Sequence, residues 1–173
     1  MKDPKVFISY HRADTKYRKK LESILEDARI EYYAVPENTK FDGQSHQYIK
    51  DQIISHMGNC SIVICLIGQE TYSRPHVDWE IHAALRGGVE KRKGLIAVML
   101  EVRGDSKNDI DYATFPNRIQ DNEEYAVIEQ FASLSERLYS AIEIAECNRK
   151  NERLSVNNSR ELMQLKSKKY YSN

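Results

Sequence analysis

Apolar and polar positions along the chain alternate between two periods. Val6-Phe7-Ile8-Ser9-Tyr10 is a β-branched and aromatic run just after Pro4, and it predicts a first strand. Leu21, Ile24, Leu25 and Ala28 then recur at helical spacing, with Asp14 or Thr15 placed to cap that helix. A second strand is expected from Ile30 to Val35, and Pro36 opens a polar loop of turn formers, E-N-T-K-F-D-G-Q-S. The next helix runs from Gln44 to Met57, with Ile49, Ile53, Ile54 and Met57 on one side and Gly58-Asn59 as its left-handed cap. Ser61 to Ile67 is continuously apolar after its serine, which is how a strand covered on both faces reads.

The stretch from Ser73 to Gly88, S-R-P-H-V-D-W-E-I-H-A-A-L-R-G-G, predicts a helix stopped by its two glycines. Val77, Ile81, Ala84 and Leu85 form its apolar stripe, and Glu80 falls on that same stripe. A glutamate there either reaches the rim or is buried for a task, because burying an ionised carboxylate without a partner costs several kcal/mol. The solvated run E-K-R-K leads to a fourth strand, Leu95 to Leu100.

Strand and helix therefore alternate four times over, the order of a parallel sheet with helices on both faces. From Arg103 to Glu124 the chain is polar, with Phe115-Pro116-Asn117-Arg118-Ile119 as its anchor to the body. Tyr125 to Ile128 makes a short fifth strand, and Ser133 to Asn148 a helix with Leu134, Leu138, Ala141, Ile142 and Ala145 in register. The reading is one domain over residues 1–148 and a basic, polar tail over 149–173. That tail carries seven Lys or Arg against two Glu and reads as solvated or loosely docked, with a Leu162 to Leu165 patch able to form one more helix.

The 173 residues carry zero formal net charge, so no polyanionic partner is implied and nucleic acid is not expected. Cys60, Cys65 and Cys147 are odd in number and lack C-x-x-C spacing, which fits a reducing compartment and neither disulfides nor zinc. The N-terminus has no apolar signal-peptide core and no run approaches a membrane span, so a cytoplasmic protein without membrane partners is expected. His46, His56 and His82 show no metal-ligand spacing and read as surface residues.

Ligands of open α/β sheets bind beyond the carboxyl ends of the strands, where Ser9 to Asp14, Pro36 to Gly43 and Gly68 to Glu80 converge. S-Y-H-R-A-D contains no glycine, which disfavours dinucleotide-fold and P-loop chemistry, and the first strand lacks the clustered aspartates of a magnesium site.

Four segments together resemble a known family: V-F-I-S-Y at Val6 to Tyr10, the turn-rich second loop ending in Gly43, the I-V-I-C-L-I-G strand, and H-V-D-W-E-I-H-A-A-L-R-G-G from His76. Their order and spacing are similar to a TIR domain, closest to the bacterial TIR-like proteins of Thoeris antiphage defence. The resemblance covers about Lys5 to Leu100. It implies a flavodoxin-like three-layer α/β fold with a central parallel sheet of about five strands. It also implies an enzyme that cleaves NAD at the nicotinamide-ribose bond, with NAD as substrate and no further cofactor. Glu80 matches the family's catalytic glutamate on the third helix.

Ser9, Tyr10 and His11 match the first loop, where an aromatic and a polar or basic side chain line the nucleotide. His76 stands where many enzymatic relatives carry tryptophan, with Trp79 next to Glu80 instead. Glu37 and Asp42 compete for the acid of the second loop. Arg12 is placed to meet a phosphate but reads by default as a surface arginine. The resemblance further implies a nucleotide signal made from ADP-ribose for a separately encoded effector, and work in assembled, self-associated form. Two other functions fit the same sequence: a non-catalytic interaction module, and a nucleoside deoxyribosyltransferase-like enzyme that leaves NAD untouched.

Overall fold

Five strands, β1 (Val6–Ser9), β2 (Tyr32–Ala34), β3 (Ile62–Ile67), β4 (Gly94–Met99) and β5 (Val127–Gln130), form one sheet in the order β2-β1-β3-β4-β5. Every neighbouring pair is parallel. The computed structural model describes residues 3–35, 45–104 and 109–164. The helices are α1 (Thr15–Asp27), α2 (His46–Met57), α3 (Pro75–Ala84), the short α4 (Gly88–Lys91) and α5 (Asn117–Gln120), and α6 (Leu134–Lys150). This is the flavodoxin-like order, with a switch point between β1 and β3.

Because side chains alternate along a strand, the sheet has two buried faces. Phe7, Val63, Cys65, Ile67, Leu95, Ala97 and Met99 pack with α2 and α3, and Val6, Ile8, Ile62, Ile64, Leu66, Ile96 and Val98 pack with α1 and α6. All six residues of β3 and of β4 are buried, the reason for their unbroken apolar sequence. Gly94 is where α6 comes nearest the sheet: a Cβ there would lie 2.6 Å from Ile62 Cδ1 and 2.7 Å from the Ala145 carbonyl oxygen.

Several local expectations are corrected. Gly58 is right-handed, with φ −53°, so α2 does not end on a left-handed glycine; at its other end Ser45 caps the helix, its Oγ accepting from the Tyr48 amide at 3.2 Å. The left-handed residue after α1 is Arg29, with φ 55°. Ile54 is 42% exposed, although Ile49, Ile53 and Met57 are buried as expected. β5 begins two residues later than the sequence suggests. Tyr125 is instead a buried anchor whose hydroxyl donates to the Lys93 carbonyl at 2.5 Å, closing the path from β4.

The expected loosely held tail is also corrected. Residues 151–164 are laid along the body without helix, and Leu154, Val156 and Leu162 join the α2–α3 core. Buried Arg92 gathers the carbonyls of Asn148, Arg149, Asn151 and Leu154 at 2.7–3.1 Å. Arg118, with no exposed surface, pairs with Asp78 at 2.9 Å and also donates to the Asn158 side chain and to the Arg160 and Glu161 carbonyls. Charge-assisted bonds to main-chain carbonyls thus hold a segment that has few apolar residues of its own. Leu165 and the residues after it lie outside the described residues, as does the loop over 36–44.

Candidate active site

Helix α3 starts with Pro75 at its first turn and presents Val77, Ile81 and Ala84 to the sheet. That orientation buries two acids, Asp78 and Glu80. Their surroundings differ. Asp78 faces Arg118 and also accepts from the Met163 amide at 3.0 Å, so its charge is met. Glu80, 7% exposed, accepts a 2.5 Å hydrogen bond from the Ser9 hydroxyl, and among the described residues no lysine or arginine pairs with it. Burial pushes its carboxyl up to about 8, opposed only by the Ser9 hydrogen bond.

Ser9 ends β1 on the same face as Phe7, opposite Cys65 of β3 in the sheet register. The polar cluster at the carboxyl ends of the two central strands therefore contains Ser9, Cys65 and Glu80. The Cys65 thiol is held well above its ordinary range, first by burial and then by the nearby Glu80 and Asp14.

Asp14 is the residue that sequence reasoning misplaced. It stands at the start of α1 but makes no capping hydrogen bond; its carboxylate turns inward to accept from Thr71 Oγ1 at 3.5 Å. Thr71 is fixed in turn by the Gly68 amide at 2.8 Å. A Cβ on Gly68 would sit 2.3 Å from Asp14 Oδ2, which explains the glycine. Burial raises the Asp14 carboxyl, with Thr71 and Arg74 pulling it back.

The other sequence-selected residues separate. Tyr10 falls on the opposite face from Ser9: it packs with the α1 side, its hydroxyl donates to the Val35 carbonyl at 3.3 Å, and Arg18 lies 5.5 Å over its ring. His11 Nε2 lies 3.6 Å from Glu70 Oε2, and burial together with nearby Arg74 lowers the imidazole pKa. His76 is half-buried one turn before Glu80 and meets Trp79 edge-on, with ring centroids 5.4 Å apart. Arg12 is exposed. Glu37 and Asp42 lie outside the described residues.

Trp79, although adjacent to Glu80 in sequence, points elsewhere. Its indole N–H donates to the Met163 carbonyl at 2.8 Å, and it lines a groove of about 270 Å³ between α2 and α3 with Lys50, Ile53, Ile54, His82 and Leu162. His82 is thus part-buried, and His56 stacks on Tyr33 at 4.6 Å, so neither is the plain surface residue expected. Among the described residues no group of three His, Cys, Asp or Glu could hold a metal ion, and no helix is long and apolar enough to cross a membrane.

A family model described as Thoeris protein ThsB, TIR-like domain, matches residues 7–105. Among solved structures, the chain is similar to the TIR domains in the structure of the activated Roq1 resistosome directly recognizing the pathogen effector XopQ. That likeness has 15% identity, covers 89% of this chain and 86% of that one, and has a TM-score of 0.46. No curated protein matches the chain.

Proposed function

Since the chain belongs to the TIR-like family of Thoeris protein ThsB, we propose that it cleaves NAD at the nicotinamide-ribose bond and turns the ADP-ribose part into a signal for a separate effector. The observation that carries this reading is Glu80: a buried carboxyl at the carboxyl end of the central strands, oriented by Ser9 and without a cation of its own among the described residues.

The chemistry asks for little else. The bond between ribose C1′ and the pyridinium nitrogen breaks with its electron pair going to nitrogen, so nicotinamide leaves neutral and needs no general acid. Positive charge appears on the ribosyl ring as an oxocarbenium-like species. A hydroxyl then adds at C1′ and loses its proton; if the hydroxyl is water the product is ADP-ribose, and if it is another nucleotide hydroxyl the product is cyclic or conjugated. An anchored carboxylate favours the charge that develops in the transition state.

With its pKa raised to about 8, Glu80 is mostly protonated at neutral pH in the free protein. A pyridinium ring placed beside it supplies the positive charge that releases the proton to solvent. Substrate binding and formation of the active carboxylate are in this way coupled. His11 and His76 are proposed to flank the nucleotide, and assembly of several copies is proposed to accompany activity. Tyr10, turned to the other face, serves to hold β1 against the start of α1 and the end of β2.

The test is mass spectrometry of small molecules after incubation with NAD. Nicotinamide is expected with the wild type and not with Glu80→Gln. Equal release by both proteins would remove Glu80 from the mechanism. If NAD stays intact while bases exchange between free nucleosides, the deoxyribosyltransferase alternative replaces this one; if both substrates stay intact, the interaction-module alternative does.

A further inference from the structure

Two donor side chains beside the proposed site converge on one exposed carboxylate. Arg74, whose side chain is 37% exposed, forms an ion pair through Nη2 with Glu70 Oε2, and His11 Nε2 approaches the same oxygen at 3.6 Å. Glu70 itself is 59% exposed. Arg74 occupies the capping position of α3, where a guanidinium has no acceptor to offer the helix, and its buried Nε has no hydrogen-bond partner among the described residues. The guanidinium therefore keeps an unused donor next to the one already engaged. It is also near enough to influence both His11 and Asp14, which places it between the first loop and the start of α3.

Resting on the NAD-cleaving reading, we propose that Arg74 with His11 is the subsite for the diphosphate of the dinucleotide, and that Glu70 occupies it when no ligand is bound. An exposed ion pair contributes little, so a carboxylate there is readily displaced. A diphosphate offers several oxygens to a planar guanidinium and engages Nε as well as Nη2, an arrangement to which arginine geometry is suited. Arg74 precedes Glu80 by six residues, about 9 Å along a helix axis, so the carboxyl reads the ribose while the guanidinium reads the group attached to it. The exposed Arg12 is not needed for this role.

The experiment is calorimetric titration of the full chain with ADP-ribose, run beside nicotinamide release from NAD and from nicotinamide riboside, which lacks the diphosphate. Arg74→Ala is expected to weaken ADP-ribose binding about ten- to hundredfold and to raise KM for NAD while leaving riboside cleavage unchanged; Arg74→Lys recovers part of the binding. Glu70→Gln is expected to tighten ADP-ribose binding roughly two- to fivefold, an effect that a merely structural Arg74–Glu70 pair would not produce. Wild-type affinity in Arg74→Ala, equal losses on NAD and riboside, weaker binding by Glu70→Gln, or no ADP-ribose binding by the wild type would each overturn the proposal. Arg74-dependent binding without nicotinamide release would sink the enzymatic reading alone and leave the anion subsite standing.

Discussion

Replacing Glu80 with glutamine is expected to stabilise the fold as well as remove the chemistry, and the stabilisation has a defined pH dependence. In the unfolded chain the carboxyl titrates near its ordinary value of 4.5, whereas in the folded protein it titrates at about 8. Between those values the folded state holds a proton that the unfolded state has released, so stability falls as pH rises. The cost relative to a neutral isostere is below about 1 kcal/mol at pH 5, about 3 kcal/mol at pH 7 and between 4 and 5 kcal/mol, roughly, at pH 9.

Glutamine keeps an oxygen to accept from Ser9 and carries no charge to desolvate, so it escapes that cost. A protein of this length gains about 2–4 °C in Tm per kcal/mol. The melting temperature of Glu80→Gln is therefore expected to exceed that of the wild type by about 6–12 °C at pH 7, with the gap shrinking toward pH 5 and growing toward pH 9. Thermal melts of both proteins followed by circular dichroism in matched buffers measure this directly, because all other titrating groups are shared. A gap that stays constant with pH, or a less stable variant, would refute the claim that burial holds this carboxyl neutral.

Further expectations follow from the same geometry. For NAD cleavage, kcat/KM is expected to rise with pH through about 8, the free-protein value for Glu80, while kcat rises at lower pH because the bound pyridinium favours the carboxylate; a rate profile controlled by a group near 4.5 would count against this. Arg118→Ala leaves buried Asp78 facing no cation and is expected to lose about 3–5 kcal/mol, measured by urea unfolding, a loss far beyond that of removing an exposed arginine such as Arg12. Gly94→Ala forces a methyl against the Ala145 carbonyl and Ile62, and is expected to cost about 1–3 kcal/mol in the same unfolding experiment; an unchanged midpoint would mean that α6 can step back from the sheet freely.

What could be read from the sequence was whatever repeats. The period of α3 places Glu80 toward the core before any coordinate is known, and the unbroken run of β3 places it at the centre of the sheet. Ser9 is legible near the end of β1, although not as the partner of Glu80, since that contact joins residues 71 positions apart. Asp14 was misread because an acid before a helix looks like a cap; only the three-dimensional approach of Gly68 and Thr71 shows that it turns inward. Arg118 and Arg92 were invisible for a related reason. Arginine is among the residues least expected in a dry interior, and apart from the Asp78 and Asn158 side chains on Arg118 their acceptors are main-chain carbonyls, which every residue carries and no pattern reveals. Residues 151–164 lack periodicity because much of what binds them is their backbone.

That last segment has a practical meaning for anyone preparing the protein. An expression boundary drawn where α6 ends would strip Arg92 of the Asn151 and Leu154 carbonyls and Arg118 of Asn158, Arg160 and Glu161, and one drawn where the family match stops, at residue 105, would remove β5 and α6 as well. The smallest self-sufficient unit consequently extends at least to Met163, whose amide and carbonyl close against Asp78 and Trp79 on either side of the same turn. Shortened versions that fail to express would then be reporting on a missing clasp, and say nothing about whether the remaining residues can do chemistry.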